Sequence, residues 1–399
     1  MNHPGNEDRR GAVTVRLRRP LERALEQGHP WIYRDSLEAF QAPAGAVATV
    51  VDARGRFVAR GVVDGTPLAL RVFTLRDESL GAGVLAARVD RALELRRRVV
   101  PAETDAWRWL HGEGDRLPGF VCDVYGETAV LVCDGAGAEA WRDAVADVLR
   151  ERMDAVGVKN LLARSGRGEQ RTLAVLHGEA PSGVLRVRER GMTLCVDLAR
   201  GQKTGLFLDQ RESRWRVREI ARGLRVLNLY GYTGGFSVAA GVGGASRVLT
   251  VDVAPGAIEL ARETWAANAL DAARHEAVAA DVPEFLARET KRRARYDLVV
   301  ADPPSFAPRE DAVEGALKSY RALHASALAL VAPGGWYLAG SCSSHVDQAR
   351  FTETLLEGAH RAKRVLQVVD RWGAPPDHPR LLAFPEGDYL KNVLARVMD

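Results

Sequence analysis

Two short stretches of this chain bring together residue types that do covalent chemistry. One is Gly340-Ser-Cys342-Ser-Ser-His345, a cysteine set among hydroxyls with a histidine close behind; the other is Asp302-Pro303-Pro304-Ser305-Phe306. Each closes or follows a short apolar run, 335–341 and 297–301. A thiolate is a strong nucleophile, and tandem prolines present a carboxyl group at a fixed place. A cysteine after a buried strand is more often a small core residue. Two chemically suited loops at the ends of successive apolar runs outweigh that reading. The pair points to addition of Cys342 to an electron-poor ring carbon, with protonated Asp302 hydrogen-bonded to a ring nitrogen. Cys122, Cys133 and Cys195 fall inside strand-like runs and read as core. No two of the four cysteines have C-x-x-C spacing, so no metal site or redox dithiol is expected.

Upstream lies a second constellation, Asn228-Leu-Tyr230-Gly231-Tyr232-Thr233-Gly234-Gly235, at the end of the apolar run 226–230. Glycines let the backbone turn sharply and approach a ligand, whose polar groups the N–H groups can cradle. A dinucleotide site would read G-x-G-x-x-G, whereas this loop reads G-x-x-G-G. Asp252 ends the next run and is suited to accept both hydroxyls of a ribose; Asp281 and Val282, after the third, are suited to the amino group and face of an adenine. A lone aspartate at a strand end is usually a helix cap. Two of them behind a glycine loop indicate a nucleoside-type cofactor, and S-adenosylmethionine, which has no phosphates, fits. Asp302 would then stand beside its methyl group and belong to the cofactor site as well. Cytosine C5 is a poor nucleophile. Addition of Cys342 at C6 turns C5 into an enamine carbon able to take that methyl, and loss of the C5 proton with expulsion of the thiolate finishes the cycle. Phe306 is placed to stack on a flipped base, with Pro303, Pro304 and Ser305 around it.

Elements must position these loops. The runs 226–230, 248–253, 278–280, 297–301 and 335–341 are short and continuously apolar, as parallel strands covered on both faces are. Amphipathic stretches such as 257–268 supply crossover helices. Residues 191–399 therefore read as a doubly wound α/β, Rossmann-like domain, closed by a hairpin of 381–384 and 390–397. Residues 12–76 read as a small β-barrel, with runs 47–51 and 56–63 flanking the turn Asp52-Ala-Arg-Gly55. Residues 77–190 read as mixed α/β, with helices at 81–100 and 138–153 and strands at 119–124, 129–133, 173–176 and 184–188. The polar segment 1–11 reads as a tail. Asp209 is suited to cap a helix over 210–222, and Lys203 and Arg211 beside it suggest a pocket wall for the substrate. A net charge of +4, carried mainly by arginine, permits an RNA partner without demanding one. No apolar run approaches the ~20 residues needed to span a bilayer.

Taken in order, these residues resemble a known family. The chain is similar to bacterial large-subunit ribosomal RNA 5-methylcytosine methyltransferases that join an N-terminal PUA domain to a class I methyltransferase domain. The similarity runs through Gly28-His-Pro-Trp31-Ile-Tyr33, His111-Gly-Glu-Gly-Asp-Arg-Leu-Pro-Gly119, Gln202 to Arg211, the glycine loop, Asp302 to Phe306, Ser341 to His345, Asp377-His-Pro379, Pro385-Glu386 and Tyr389-Leu-Lys391. It implies S-adenosylmethionine as cofactor, 23S ribosomal RNA or the large-subunit particle as partner, a cytoplasmic location, and RNA gripped by the PUA domain through Trp31 and nearby arginines. A homodimer is compatible with it. Many RNA 5-methylcytosine enzymes carry a second cysteine where this chain has Ser305, so the group that assists product release is left open. The competing readings are a guanine N7 or exocyclic-amine methyltransferase on the same scaffold, which would need no thiol, and an RNA-binding assembly factor without turnover. A small-molecule methyltransferase would leave the first 190 residues without a role.

Overall fold

The computed structural model describes residues 12–166 and 171–398; the segment 1–11, expected to be a tail, lies outside them. The chain forms two compact units. One comprises Met1–Gly183, Leu198–Gly205 and Pro376–Gly387, and the other Val184–Asp197, Leu206–Pro375 and Asp388–Asp399.

The second unit is built on a seven-stranded sheet. Its strands are β1 (Arg225–Leu229), β2 (Arg247–Asp252), β3 (His275–Ala279), β4 (Tyr296–Ala301), β5 (Val331–Ser341), β6 (Leu366–Trp372) and β7 (Lys391–Val397). They lie in the order β3-β2-β1-β4-β5-β7-β6. β1 to β5 run parallel, and β7 is antiparallel to both its neighbours. The apolar runs become parallel strands because both faces are covered. Leu227, Leu229, Val299, Ala301, Tyr337 and Ala339 pack on one side with helices Val282–Lys291, Val313–Leu328 and Gln348–Arg361. Val226, Val248, Leu298, Val300 and Leu338 pack on the other with helices Arg211–Ile220 and Gly235–Val242. Successive strand residues point to opposite faces, so each strand feeds both cores. This is the doubly wound α/β architecture expected. No helix among the described residues is long and apolar enough to cross a membrane.

Some expectations are corrected. The terminal hairpin does not form: 381–384 is a turn, Pro385–Gly387 is a 3-10 turn, and β7 inserts between β5 and β6. β6 carries a half-exposed, mixed pattern because it is the edge strand, which concealed it. Asp209 does not cap a helix; residues Leu208–Gln210 form a 3-10 turn ahead of Arg211–Ile220, and Asp209 Oδ2 accepts a hydrogen bond from the Tyr389 hydroxyl at 2.7 Å. The strand expected at 184–188 is Leu185–Glu189, paired with Met192–Val196 as a hairpin of this unit.

The first unit holds two five-stranded sheets. In one, Val13–Arg16, Val47–Val51, Phe57–Val63, Leu68–Thr74 and Trp31–Tyr33 are adjacent in that order. The turn at Asp52 is as expected, with Gly55 at φ +78° and Asp52 Oδ1 accepting from the Arg54 and Arg56 amides at 2.8 and 2.9 Å. The other sheet joins Thr172–His177, Asn160–Ser165, Thr128–Cys133, Phe120–Tyr125 and Ala106–His111, with helix Ala82–Val99 against it. The helix expected over 138–153 is two, Ala136–Ala140 and Arg142–Arg150. They part at Trp141, whose buried indole donates to the Gly45 carbonyl at 2.8 Å.

Burial makes the second unit acid-sensitive. His324 is fully buried, bonded through Nδ1 to the Tyr337 hydroxyl at 2.8 Å, and burial pushes its pKa down to about 3. The folded state therefore binds a proton less readily than the unfolded chain. Stability is complete above the ordinary histidine value and falls as pH drops through it towards the folded value. Between pH 7 and pH 5 this one residue should cost about 2 kcal/mol. Urea unfolding at the two pH values measures it, and His324→Leu should flatten the pH dependence by that amount. A variant as acid-sensitive as the parent would refute the assignment to His324.

Candidate active site

The glycine loop leaves β1 and crosses the end of β2. The Gly231 amide donates to the Val251 carbonyl at 2.9 Å, and the Gly234 amide to the Gly231 carbonyl at 2.8 Å. A Cβ on Gly231 would meet Thr250 Cγ2 at 2.5 Å, so no larger residue fits this approach. Gly234 sits at φ +79° against Ala261. Tyr230 and Tyr232 also adopt left-handed backbone, at φ +56° and +44°. Non-glycine residues there cost about 1–2 kcal/mol each, and such strain collects at ligand loops. Beneath the loop, buried Asn228, Ser237 and Thr250 and half-buried His275 form a hydrogen-bonded chain reaching β3. Phe207 packs edge-on to Tyr232 at 5.3 Å, and Thr233 is buried.

Asp252 is oriented from below. Its Oδ2 accepts from the Tyr232 amide and its Oδ1 from the Ala254 amide, each at 2.9 Å. Each carboxylate oxygen keeps a second acceptor direction for a hydroxyl group. Asp281 is exposed and caps helix Val282–Lys291 through the Glu284 amide at 3.1 Å, while the Val282 side chain is in the core beside Leu229 and Val251. Burial, and next the negative charge of Asp281, raise the Tyr230 hydroxyl to about 12.

The two chemically suited loops are tied together. The buried Tyr320 hydroxyl hydrogen-bonds Ser341 Oγ and Ser343 Oγ, each at 2.9 Å. Ser343 Oγ also meets Ser305 Oγ at 3.2 Å and accepts from the Ala307 amide at 3.3 Å. Cys342 is half-buried between these two buried serines. Phe306 lies on the Tyr320 ring at 4.9 Å. Asp302 is held beside β5: a Cβ on Gly340 would come within 2.5 Å of its Oδ1. Burial, with Cys342 and Asp302 adding to it, raises the Tyr320 hydroxyl to about 12, so it stays protonated. Pro303 is buried, and Pro304 and Ser305 are exposed.

The other expected residues have the following surroundings. Arg211 is fully buried at the start of its helix, with Nε 3.7 Å from Glu212 Oε1. Lys203 and Trp31 belong to the first unit. Lys203 is exposed and its carbonyl accepts from Arg164 at 2.5 Å. Trp31 is half-buried, bonded to Glu113 at 2.8 Å and packed on Phe384 at 4.6 Å. Sequence reasoning missed Tyr320, which has ordinary core spacing on its helix. It also missed Lys391 as a site residue, although a lysine opening an apolar run was a visible signal.

Comparisons with known proteins bear on this geometry. Residues 155–394 match the family model of S-adenosylmethionine-dependent methyltransferases, and residues 15–75 that of PUA-like domains. The chain belongs to the S-adenosylmethionine-dependent methyltransferases. Curated relatives from Shigella boydii and Citrobacter koseri, each named ribosomal RNA large subunit methyltransferase I, are 33% identical over 395 residues, spanning 97% of this chain and all of theirs. Two solved structures share the fold. One, described as a SAM-dependent methyltransferase from Streptococcus mutans, has a TM-score of 0.85 at 22% identity over 96% of this chain and all of its own. The other, a methyltransferase complexed with SAH, has a TM-score of 0.86 at 23% identity over 97% of this chain and all of its own.

The residues present fit the family's cofactor. A loop that admits no Cβ at Gly231 and a carboxylate held by two backbone amides form a cradle for a nucleoside. Gly231, Thr233, Gly234 and Gly235 would approach the cofactor, Asp252 the ribose and Asp281 the adenine. Removing the Asp252 carboxylate should cost about 1–3 kcal/mol of binding, or roughly 5- to 150-fold in affinity. Calorimetric titration of Asp252→Ala with S-adenosylmethionine checks this, and wild-type affinity would exclude Asp252 from the ribose site.

Proposed function

We propose that this chain methylates cytosine C5 in 23S ribosomal RNA of the large subunit, with Cys342 as covalent nucleophile. The observation that carries the reading is the tie made by Tyr320, Ser341, Ser343 and Ser305, which holds the cysteine loop against the Asp302 loop. An N-methylation would have no use for a thiol there, because the attacking nitrogen already has a lone pair. The names of the relatives support ribosomal RNA as substrate.

When bound, S-adenosylmethionine supplies an electrophilic methyl group. The protein's own part follows from its loops. Cys342 Sγ forms a bond to C6, and the displaced π-electron pair makes C5 nucleophilic. Asp302, held beside Gly340, keeps a proton on N3 and so takes up the charge that addition pushes into the ring. After C5 is methylated, its proton leaves, the pair re-forms the C5–C6 double bond and the Cys342 thiolate departs. Phe306 offers a ring face to the flipped base, with Pro303, Pro304 and Ser305 fixing its loop. Lys203, Arg211 and Trp31 remain candidates for the substrate side.

The first unit supplies the grip on RNA. A groove of about 810 Å³ there is lined by Arg18, Arg19, Arg34 and the exposed Tyr33 together with Asp35 and Glu38, and its three arginines and tyrosine are suited to phosphate contact and base stacking. On this reading 12–76 is the RNA-binding PUA segment, 77–190 a mixed middle segment and 191–399 the methyltransferase segment, acting in the cytoplasm where ribosomes are built.

Purified protein with methyl-labelled S-adenosylmethionine and unmodified large-subunit rRNA, free or as assembled subunits, should place label in 5-methylcytosine. Cys342→Ala should lower the rate by at least about a thousandfold, as expected for loss of a covalent nucleophile. Nucleoside mass spectrometry reads both. Label in a methylated guanine, or full activity without the thiol, would overturn the reading.

A further inference from the structure

β7 begins Lys391-Asn-Val-Leu-Ala-Arg-Val and its first side chain is 3% exposed, on the sheet face where Val393 and Val397 enter the core. Burying an ammonium group costs several kcal/mol unless neighbours compensate, and an apolar chain of the same length would pack without that cost. Its compensation is local. Lys391 Nζ donates to the Ser343 carbonyl at 2.6 Å and to the Tyr389 carbonyl at 2.8 Å. The first of these acceptors belongs to the residue directly after Cys342. The ammonium thus grips the cysteine turn from the sheet side, while Tyr320 and the two serines hold it from the helix side.

We propose that Lys391 is a positioning residue for the nucleophile: it anchors the turn that carries Cys342, and its charge stabilises the Cys342 thiolate. This rests on Cys342 being the nucleophile of the proposed reaction. The electrostatics agree in direction. Burial lowers the Lys391 pKa to about 8, opposed by attraction to Cys342, Asp388 and Asp347. Asp388 lies three residues before Lys391 at the start of β7, and Asp347 caps helix Gln348–Arg361. Asp302 and Tyr320 are further titratable groups near Cys342, and the exposed His345 lies three residues on in the same turn. Ionisation sends the thiol proton to solvent and leaves the electron pair on Sγ, so the ammonium acts without itself exchanging a bond with substrate.

The thiol can be read without methylation. Full-length protein would be treated with iodoacetamide from about pH 6 to about pH 9, and the alkylation rate at Cys342 followed by peptide mass spectrometry. The variants are Lys391→Met, which removes charge and donor, and Lys391→Gln, which removes charge but keeps an N–H donor for the Ser343 carbonyl. In both, the half-point of the alkylation profile should move up by about one pH unit, the effect of losing an adjacent opposite charge. The methylation rate should then fall about tenfold near neutral pH and recover as pH rises, with cofactor affinity kept. If a variant that still binds S-adenosylmethionine keeps the wild-type half-point, the proposal is overturned and Lys391 is only a prop. Failure of the nucleophile reading shows separately, as methylation that survives Cys342→Ala whatever the alkylation profile does.

Discussion

The strand order reverses between β1 and β4, and the candidate site residues of this protein are arranged around that reversal. β1 leads into helix Gly235–Val242 on one face of the sheet, and β4 leads towards helix Val313–Leu328 on the other. Loops leaving adjacent strands for opposite faces open a crevice at the carboxyl ends. The glycine loop occupies one side of it and the Asp302 loop the other. No side chain need be long to reach a ligand there, which is why the candidate residues are mainly glycines, short acids and a cysteine.

A crevice alone would leave these loops free to move, and the hydrogen bonds beneath them remove that freedom. On the cofactor side, Asp252 links two loops through backbone amides, and buried Asn228, Ser237 and Thr250 brace the strand ends. On the side of the candidate nucleophile one hydroxyl, that of Tyr320, reaches both serines flanking Cys342. Buried polar groups are costly when unpaired and rigidifying when paired. Here they are spent where geometry matters to within a fraction of an ångström. The left-handed Tyr230 and Tyr232 belong to the same pattern, since backbone strain persists only where surrounding bonds over-determine it.

What could be read from the sequence was whatever chemistry stands next to its own strand. The glycine loop, Asp252, Asp302 and Cys342 each follow an apolar run directly, so run and motif were legible together. The rest arrives by long-range pairing. Tyr320 reaches the serines across the sheet-to-helix packing, and its spacing on the helix is that of any core residue. Asp209 looked like a helix cap because its local context suits one, yet it is held by Tyr389, 180 residues further on. β6 was hidden for a different reason: an edge strand with a half-exposed pattern carries little periodic signal. A linear motif also carries no information about which unit a residue joins, as for Lys203, which the sequence sets beside Arg211 but which belongs to the first unit.

β7 shows how much depends on a register no local signal gives. It runs antiparallel to β5 with Gly340 opposite Asn392 and Ser341 opposite Lys391. Val393 and Val397 fill one core while Leu394 fills the other, so the alternation of apolar residues sets which face each side chain meets. A slip of one residue would move every β7 side chain to the opposite face and carry Lys391 away from the cysteine turn. The apolar contacts that fix this register are remote from any substrate. They nonetheless decide which charged group stands beside Cys342, so packing at the last strand is part of how the site is specified.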